Sequence, residues 1–328
     1  QPRSRGLGDV YKRQLLGIGG AFCLIGALLF GIGFTSGGTK YVHATNLNSM
    51  NAQEDNKESA NRFTLKKTEI PDFTSLNINL EDSDLNIEES PNEKSYIEYA
   101  QATKDKKNPV SYFIENGTLT LKEAGNTGAS YYINVDISFL QAALSSKNIE
   151  DYTKESSKYE NYVTLYLPKD KLVSSAKIYL GYGDFYVKNA AFDTINIKLD
   201  DGDFDANTLT ANSGKLTFSY GDCDLQKASL GNISLTSKDG DLTVNELTLS
   251  GKTKIALSYG DTEITLNDST KKVSGFDLVT HYGTITASGL NGNKTLDEDD
   301  DVNTFQSDSK DGKTKLSIDS KDGDITVK

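Results

Sequence analysis

The 328-residue chain has no tryptophan, two cysteines, two histidines and four arginines, and these shortages narrow its chemistry. The arginines are Arg3, Arg5, Arg13 and Arg62, so everything after Arg62 works without a guanidinium fork for carboxylate or phosphate. Cys23 lies in an apolar run and Cys223 in a distant strand pattern, and the two cannot build a disulfide framework. His43 and His281 stand without a nucleophile–base partner at an interpretable spacing, and no P-loop, dinucleotide-binding or zinc signature is present. Basic charge is also scarce: 35 Lys and Arg against 47 Asp and Glu give a formal charge of −12. Nucleic acid is not an expected partner, because neutralising phosphates needs a basic surface. The composition points to a protein that is not an enzyme and carries no obligatory cofactor.

What is present begins with a long apolar run. Residues 1–14 include Ser4–Gln14, SRGLGDVYKRQ, which resembles the conceptual translation of a sequencing-library adapter and is set aside. Leu15–Phe34 follows, twenty residues without a charge and with six glycines, which fits a single membrane-spanning helix. A cleaved signal peptide ending near Val42-His43-Ala44 is the rival reading, but the run is longer than the usual apolar region. Residues 35–68 are polar and read as a flexible stalk. The acidic remainder is expected outside the cell, held at the membrane by Leu15–Phe34.

The dominant signal is an internal repeat. Gly183-Asp184, Gly202-Asp203, Gly221-Asp222, Gly240-Asp241 and Gly260-Asp261 recur at intervals of 19, 19, 19 and 20. Gly283-Thr284 is a degenerate copy and Gly323-Asp324 a clean one. Five residues before the glycines stand Ile178, Ile197, Leu216, Leu235, Ile255, Leu278 and Ile318. Two after it stand Phe185, Phe204, Cys223, Leu242, Thr262, Ile285 and Ile325, and four after it Val187, Ala206, Leu225, Val244, Ile264, Ala287 and Val327. Apolar alternation on both sides of a turn describes strand, turn, strand with one buried face. One such unit cannot bury that face alone, so the coils must stack. The expected fold is all-β, a parallel β-solenoid (β-helix-like) of about 19 residues per coil with an N-terminal transmembrane helix. Residues 171–328 hold the repeats, and residues 69–170 an N-terminal β region with an insertion. There Leu76, Ile78 and Leu80 precede Asp82-Ser83-Asp84 in the same frame, with Ser83 in the glycine's place. Asn116-Gly117 signals a hairpin between Val110–Glu115 and Thr118–Glu123. Tyr131–Ile137 and Tyr162–Leu167 read as strands, Phe139–Glu160 as a polar segment with a short helix, and Asn291–Asp311 as an acidic insertion.

The order of glycine-rich apolar anchor, first strand pair, Val163-Thr164-Leu165-Tyr166-Leu167-Pro168 and Gly-Asp strand units resembles the putative-adhesin family of bacterial β-strand-repeat proteins. The resemblance spans about Ile70–Lys328. It implies a cell-envelope role as adhesin, scaffold or envelope-stress accessory, and it brings no catalytic residues to carry over.

Candidate sites follow from the stacking. Asp184, Asp203, Asp222, Asp241 and Asp261 should form a ladder, either capping their own turns as Asx-turns do or holding Ca²⁺ between coils. Asp297, Asp299 and Asp301 have the spacing of an EF-hand start, but Val302 stands where that loop needs glycine. Tyr182, Tyr220 and Tyr259, on alternate coils, would lie about 9.5 Å apart as a sugar-stacking stripe. Cys223 reads as a small core residue. Expected partners are a cell-envelope glycan or protein, and a second copy through Gly312–Lys328 if that last coil leaves an open edge. The competing function is a polysaccharide lyase on a β-helix, for which no serving lysine stands out in the sequence.

Overall fold

The computed structural model describes residues 42–43, 61–103, 107–124, 133–134, 161–297 and 301–328. Leu15–Phe34, most of the stalk and Phe139–Glu160 lie outside the described residues, while residues 61–68, expected as the end of the flexible stalk, are corrected to strand: they belong to Asn61–Ile70, which pairs antiparallel with Ser95–Thr103. Among the described residues no helix is long and apolar enough to cross a membrane. The chain divides into two compact units. In the first, Val42–His43 pairs in parallel with Ile133–Asn134. The second, Glu58–Asn126 with Lys158–Lys328, holds the repeats.

The repeats stack as coils, each in register with the next. Ala190–Asp201 pairs in parallel with Leu172–Tyr182 on one side and Leu209–Tyr220 on the other. Phe204–Ala206 lies likewise between Phe185–Val187 and Cys223–Leu225. Ile178, Ile197, Leu216, Leu235 and Ile255 form one buried column, as their spacing predicts. The coil has a third side that the strand–turn–strand reading omits. Ala190, Leu209, Ala228 and Leu247 stack on one another, as do Phe192, Ala211, Leu230 and Leu249, and all are buried. The cross-section is therefore three-sided and closed around a single apolar core. Large rings fill the middle coils: Phe185 and Phe204 stack at 5.0 Å between centroids, and Phe204 meets Phe218 at 5.9 Å. Cys223 is buried in the same column, and burial pushes its thiol well above the usual range, so it packs as a hydrophobe.

The coil order in space departs from the order in sequence. Lys252–Tyr259 pairs not with Gly275–Tyr282 but with Lys315–Asp322, which pairs in turn with Gly275–Tyr282. Ile325–Val327 is likewise held between Thr262–Leu266 and Ile285–Ala287. The last repeat is thus inserted between two earlier ones. A short helix, Asp268–Val273, spans the skipped layer. It is capped by Asn267, whose side chain accepts the Thr270 N–H at 2.8 Å. The open edge expected at Gly312–Lys328 is corrected: both strands of that coil have partners on both sides.

Antiparallel strands close the ends instead. Val302–Ser307 pairs antiparallel with Gly275–Tyr282 and with Asn293–Asp297, so the acidic insertion folds over one end of the stack. Its side chains blunt the remaining edge, with Lys294 Nζ donating to the Ile285 carbonyl at 2.7 Å and Asn303 Nδ2 to the Gly283 carbonyl at 2.7 Å. At the other end Ser75–Leu80 and Asp84–Glu89 form the expected first coil against Leu172–Tyr182 and Phe185–Val187. Thr118–Glu123 and Tyr162–Leu167 continue the two sheets in parallel. Val110–Glu115, then Ser95–Thr103 and Asn61–Ile70, add antiparallel strands beyond them. Asn116 and Gly117 have φ of 49° and 72°, the left-handed pair that a two-residue hairpin requires.

Candidate surface site at the glycine corner

The repeating corner is built on backbone contact. A Cβ on Gly221 would lie 2.2 Å from the Gly202 carbonyl oxygen, and the φ of 115° at Gly221 disfavours any side chain. The same close approach runs from Ser83 through Gly183, Gly202, Gly221, Gly240, Gly260 and Gly323 to Gly283, which retraces the spatial coil order.

The aspartates after these glycines do not cap their own turns. Asp203 N–H donates to Asp184 Oδ1, Asp222 N–H to Asp203 Oδ1, and Asp241 N–H to Asp222 Oδ1, each at 2.8 Å. Asp261 N–H continues to Asp241 Oδ1 at 2.7 Å, Asp324 to Asp261 at 2.8 Å, and Thr284 to Asp324 at 2.7 Å. Asp84 starts the series, accepting from the Asp184 N–H at 2.9 Å. Each carboxylate thus clamps the following coil, and the backbone dipole it meets offsets repulsion from its neighbours. The Asx-turn expectation is corrected in partner, since the acceptor reaches across coils. Thr284, the degenerate copy, ends the series because the antiparallel hairpin follows and no further coil needs a clamp.

Beside this ladder runs an exposed stripe. One position before each glycine the register gives Tyr182, Asp201, Tyr220, Asp239, Tyr259, Asp322 and Tyr282 in spatial order. Inserting the last coil turns the irregular sequence order Tyr259, Tyr282, Asp322 into strict alternation. Tyr182, Tyr220, Tyr259 and Tyr282 are 61%, 57%, 60% and 63% exposed, so the rings are not core. Consecutive tyrosines stand two coils apart, about 9.6 Å. The position before them adds charge: Asp200, Lys238 and Lys321 accompany the intervening Asp201, Asp239 and Asp322. A shallow groove at the stripe's first two rings is lined by Tyr182, Asp200, Asp201, Ser219, Tyr220 and Lys238. Burial alone would raise the Asp200 carboxyl, but bonds from Lys198 at 2.6 Å and the Tyr179 hydroxyl at 2.9 Å outweigh it and hold the group below its ordinary value.

The matched sequence runs through this whole stack. A model of the Toastrack DUF4097 family matches residues 73–328. The chain belongs to the Toastrack family. Solved structures similar to it include a putative cell adhesion protein from Clostridium sporogenes, at 12% identity over 82% of this chain and 99% of that one, with a TM-score of 0.29. A putative adhesin from Bacteroides fragilis matches at 11% identity over 83% and 99%, with a TM-score of 0.39. A putative lipid binding protein from Parabacteroides distasonis matches at 12% identity over 82% and 98%, with a TM-score of 0.38. No protein of curated function matches the chain.

The Toastrack stack holds a further buried polar network at its first coil, around Glu123. Glu123 is buried, and burial raises its carboxyl above the ordinary value despite N–H donors from Glu81 at 2.9 Å and Asp82 at 3.1 Å. Gln101 Nε2 donates to the other Glu123 oxygen, and Ser83 donates to Gln101 Oε1 at 2.5 Å. The serine in the glycine column is the one signal that this coil differs from the rest. Among the described residues no group of three or more His, Cys, Asp or Glu side chains is placed to hold a metal ion. In the ladder proposed for Ca²⁺, one oxygen each of Asp184, Asp203, Asp222, Asp241 and Asp261 is already taken by a backbone N–H. Asp297 pairs antiparallel with Val302, which stands where an EF-hand loop needs its glycine, and Asp301 has a φ of 52°, while Asp299 lies outside the described residues. His281 Nε2 lies 3.7 Å from Asp319 Oδ1.

Proposed function

We propose that this Toastrack chain is a non-catalytic cell-surface module whose tyrosine–aspartate stripe grips an extended glycan. The observation that carries the reading is the four exposed rings at two-coil intervals, each pair separated by a carboxylate. Exposed aromatic rows do nothing for the core, and a flat ring matched with hydrogen-bonding acceptors suits the apolar face and hydroxyl edge of a pyranose. Two coils advance the rod by about the length of one disaccharide. Leu15–Phe34 would hold the rod at the membrane with its repeats outside. Among the roles that the family resemblance implies, adhesion is the one a glycan-binding stripe serves. Affinity electrophoresis in soluble β-linked glucans tests the reading. The wild type is retarded, and the Tyr182→Ala/Tyr220→Ala/Tyr259→Ala variant migrates freely; equal retardation of the two overturns it.

One observation favours a second reading, a polysaccharide lyase. Asp200, Asp201 and Lys238 share one groove, the set of carboxylates and lysine such an enzyme would need. Incubating the protein with acidic glycans and calcium and following the absorbance of unsaturated products separates the two. The module reading predicts no product.

A further inference from the structure

We infer that the outer face of the long-strand sheet binds an acidic polysaccharide laid along the rod axis, independently of the tyrosine stripe. One column of this face reads Asn77, Lys177, Asn196, Lys215, Ser234, Lys254 and Ser317 in spatial order. From Asn77 to Ser317 lysine occupies every second coil with a small polar side chain between, so three cations repeat at about 9.6 Å, and Asp277 ends the column in the coil after Ser317. Lys177, Lys215 and Lys254 are exposed, and none makes an ion pair among the described residues. The column borders a shallow concavity lined by Lys122, Lys177, Lys198 and Lys215 with asparagines between them, and no carboxylate lines it. Lys198 is paired with Asp200 at 2.6 Å, so Lys122, Lys177 and Lys215 are the cations this concavity offers a ligand, in a chain of net charge −12.

The spacing selects the ligand. A cation every second coil fits a chain with one carboxylate per disaccharide, while Asn196, Ser234 and Ser317 lie where the neutral sugar's hydroxyls need partners. A lysine ammonium offers a point charge, which suits a carboxylate on a turning chain as well as a fixed one. The face lies five residues along each strand from the tyrosines, about 16 Å, so one sugar chain cannot cover both.

The test measures binding of hyaluronan oligosaccharides, which alternate a uronate with an N-acetylhexosamine. The comparison ligands are the carboxyl-reduced polymer and inorganic polyphosphate. The variants are Lys177→Gln/Lys215→Gln/Lys254→Gln, a charge-matched control Lys169→Gln/Lys227→Gln/Lys272→Gln, and the tyrosine triple variant. The wild type binds the acidic polymer with an affinity that falls as salt rises. The first triple variant binds roughly tenfold more weakly, while the control and the tyrosine variant bind like wild type. Any of four results overturns the inference: no binding at low salt, equal binding of the carboxyl-reduced polymer, equal weakening in the charge-matched control, or tighter binding of polyphosphate. Loss in the tyrosine variant alone would place the acidic chain on the stripe and equally refute it.

Discussion

Substituting Asp222 in two ways distinguishes a hydrogen-bond clamp from a metal site. Asp222 Oδ1 accepts the Asp241 N–H at 2.8 Å, one rung of a ladder that runs from Asp84 to Asp324. Asp222→Ala removes the acceptor, and the exposed Asp241 N–H turns to water. The loss is the net worth of a charge-assisted bond, about 1.5 kcal/mol. Relief of repulsion from the carboxylates one coil away returns about 0.5 kcal/mol, leaving a cost near 1 kcal/mol. Asp222→Asn keeps an oxygen in place and removes the charge, so the weaker bond and the relieved repulsion nearly cancel, within about 0.5 kcal/mol. Stacked coils open locally, so a global melt would blur the effect. Amide hydrogen exchange at Asp241 resolves it, where 1 kcal/mol is about a fivefold faster exchange. Run with calcium and with chelator, the clamp predicts identical protection in both, with the Ala variant alone exposed. Equal loss in Asn and Ala, or protection that needs calcium, would refute the reasoning.

Four further outcomes follow from the same geometry. Gly221→Ala places a Cβ 2.2 Å from the Gly202 oxygen at a φ of 115°, and it should cost about 2–4 kcal/mol in urea unfolding. Gly289→Ala, at a φ of 71° with nothing within 4 Å, should cost about 1 kcal/mol. Glu123 has a folded pKa raised by burial above its ordinary 4.5, so its stabilising linkage is full below that value and is lost as pH rises through the raised one. Glu123→Gln, with Gln101 turning its amide over, should flatten the gain in stability on acidifying from neutrality, measured by urea midpoints against pH. Removing residues 312–328 should open a one-coil slot between Ile255 and Leu278 and produce oligomers by light scattering; a monomer with unchanged unfolding would contradict the inserted position of that coil.

The repeat frame was legible because burial imposes period two on each side of a fixed corner, and Ile178 through Ile255 could not alternate otherwise. The third side was equally written, in Ala190, Leu209, Ala228 and Leu247 with Phe192, Ala211, Leu230 and Leu249, but the glycine corner draws the eye to two strands only. The place of the last coil was not legible from patterning. Any coil's edge offers the same backbone donors and acceptors, and the apolar columns of Lys315–Val327 fit either neighbour. Charge carried the missing signal: Tyr259, Tyr282 and Asp322 alternate only when the last coil moves between the first two. The ladder's direction was hidden for a related reason, since an aspartate that could bond its own turn or the next coil reads the same in one dimension. The Glu123 network could not be foreseen, because Gln101 and Glu123 come from strands that the repeat frame does not contain.

The stripe is most directly tested by titrating the protein with β-linked glucan oligosaccharides of increasing length. If Tyr182, Tyr220, Tyr259 and Tyr282 act as successive platforms, affinity rises in steps of two sugars until the chain spans all four rings. The Tyr220→Ala variant then loses the steps beyond the first ring. Affinity that stays flat from the disaccharide onward, or that survives loss of the tyrosines, would contradict the account.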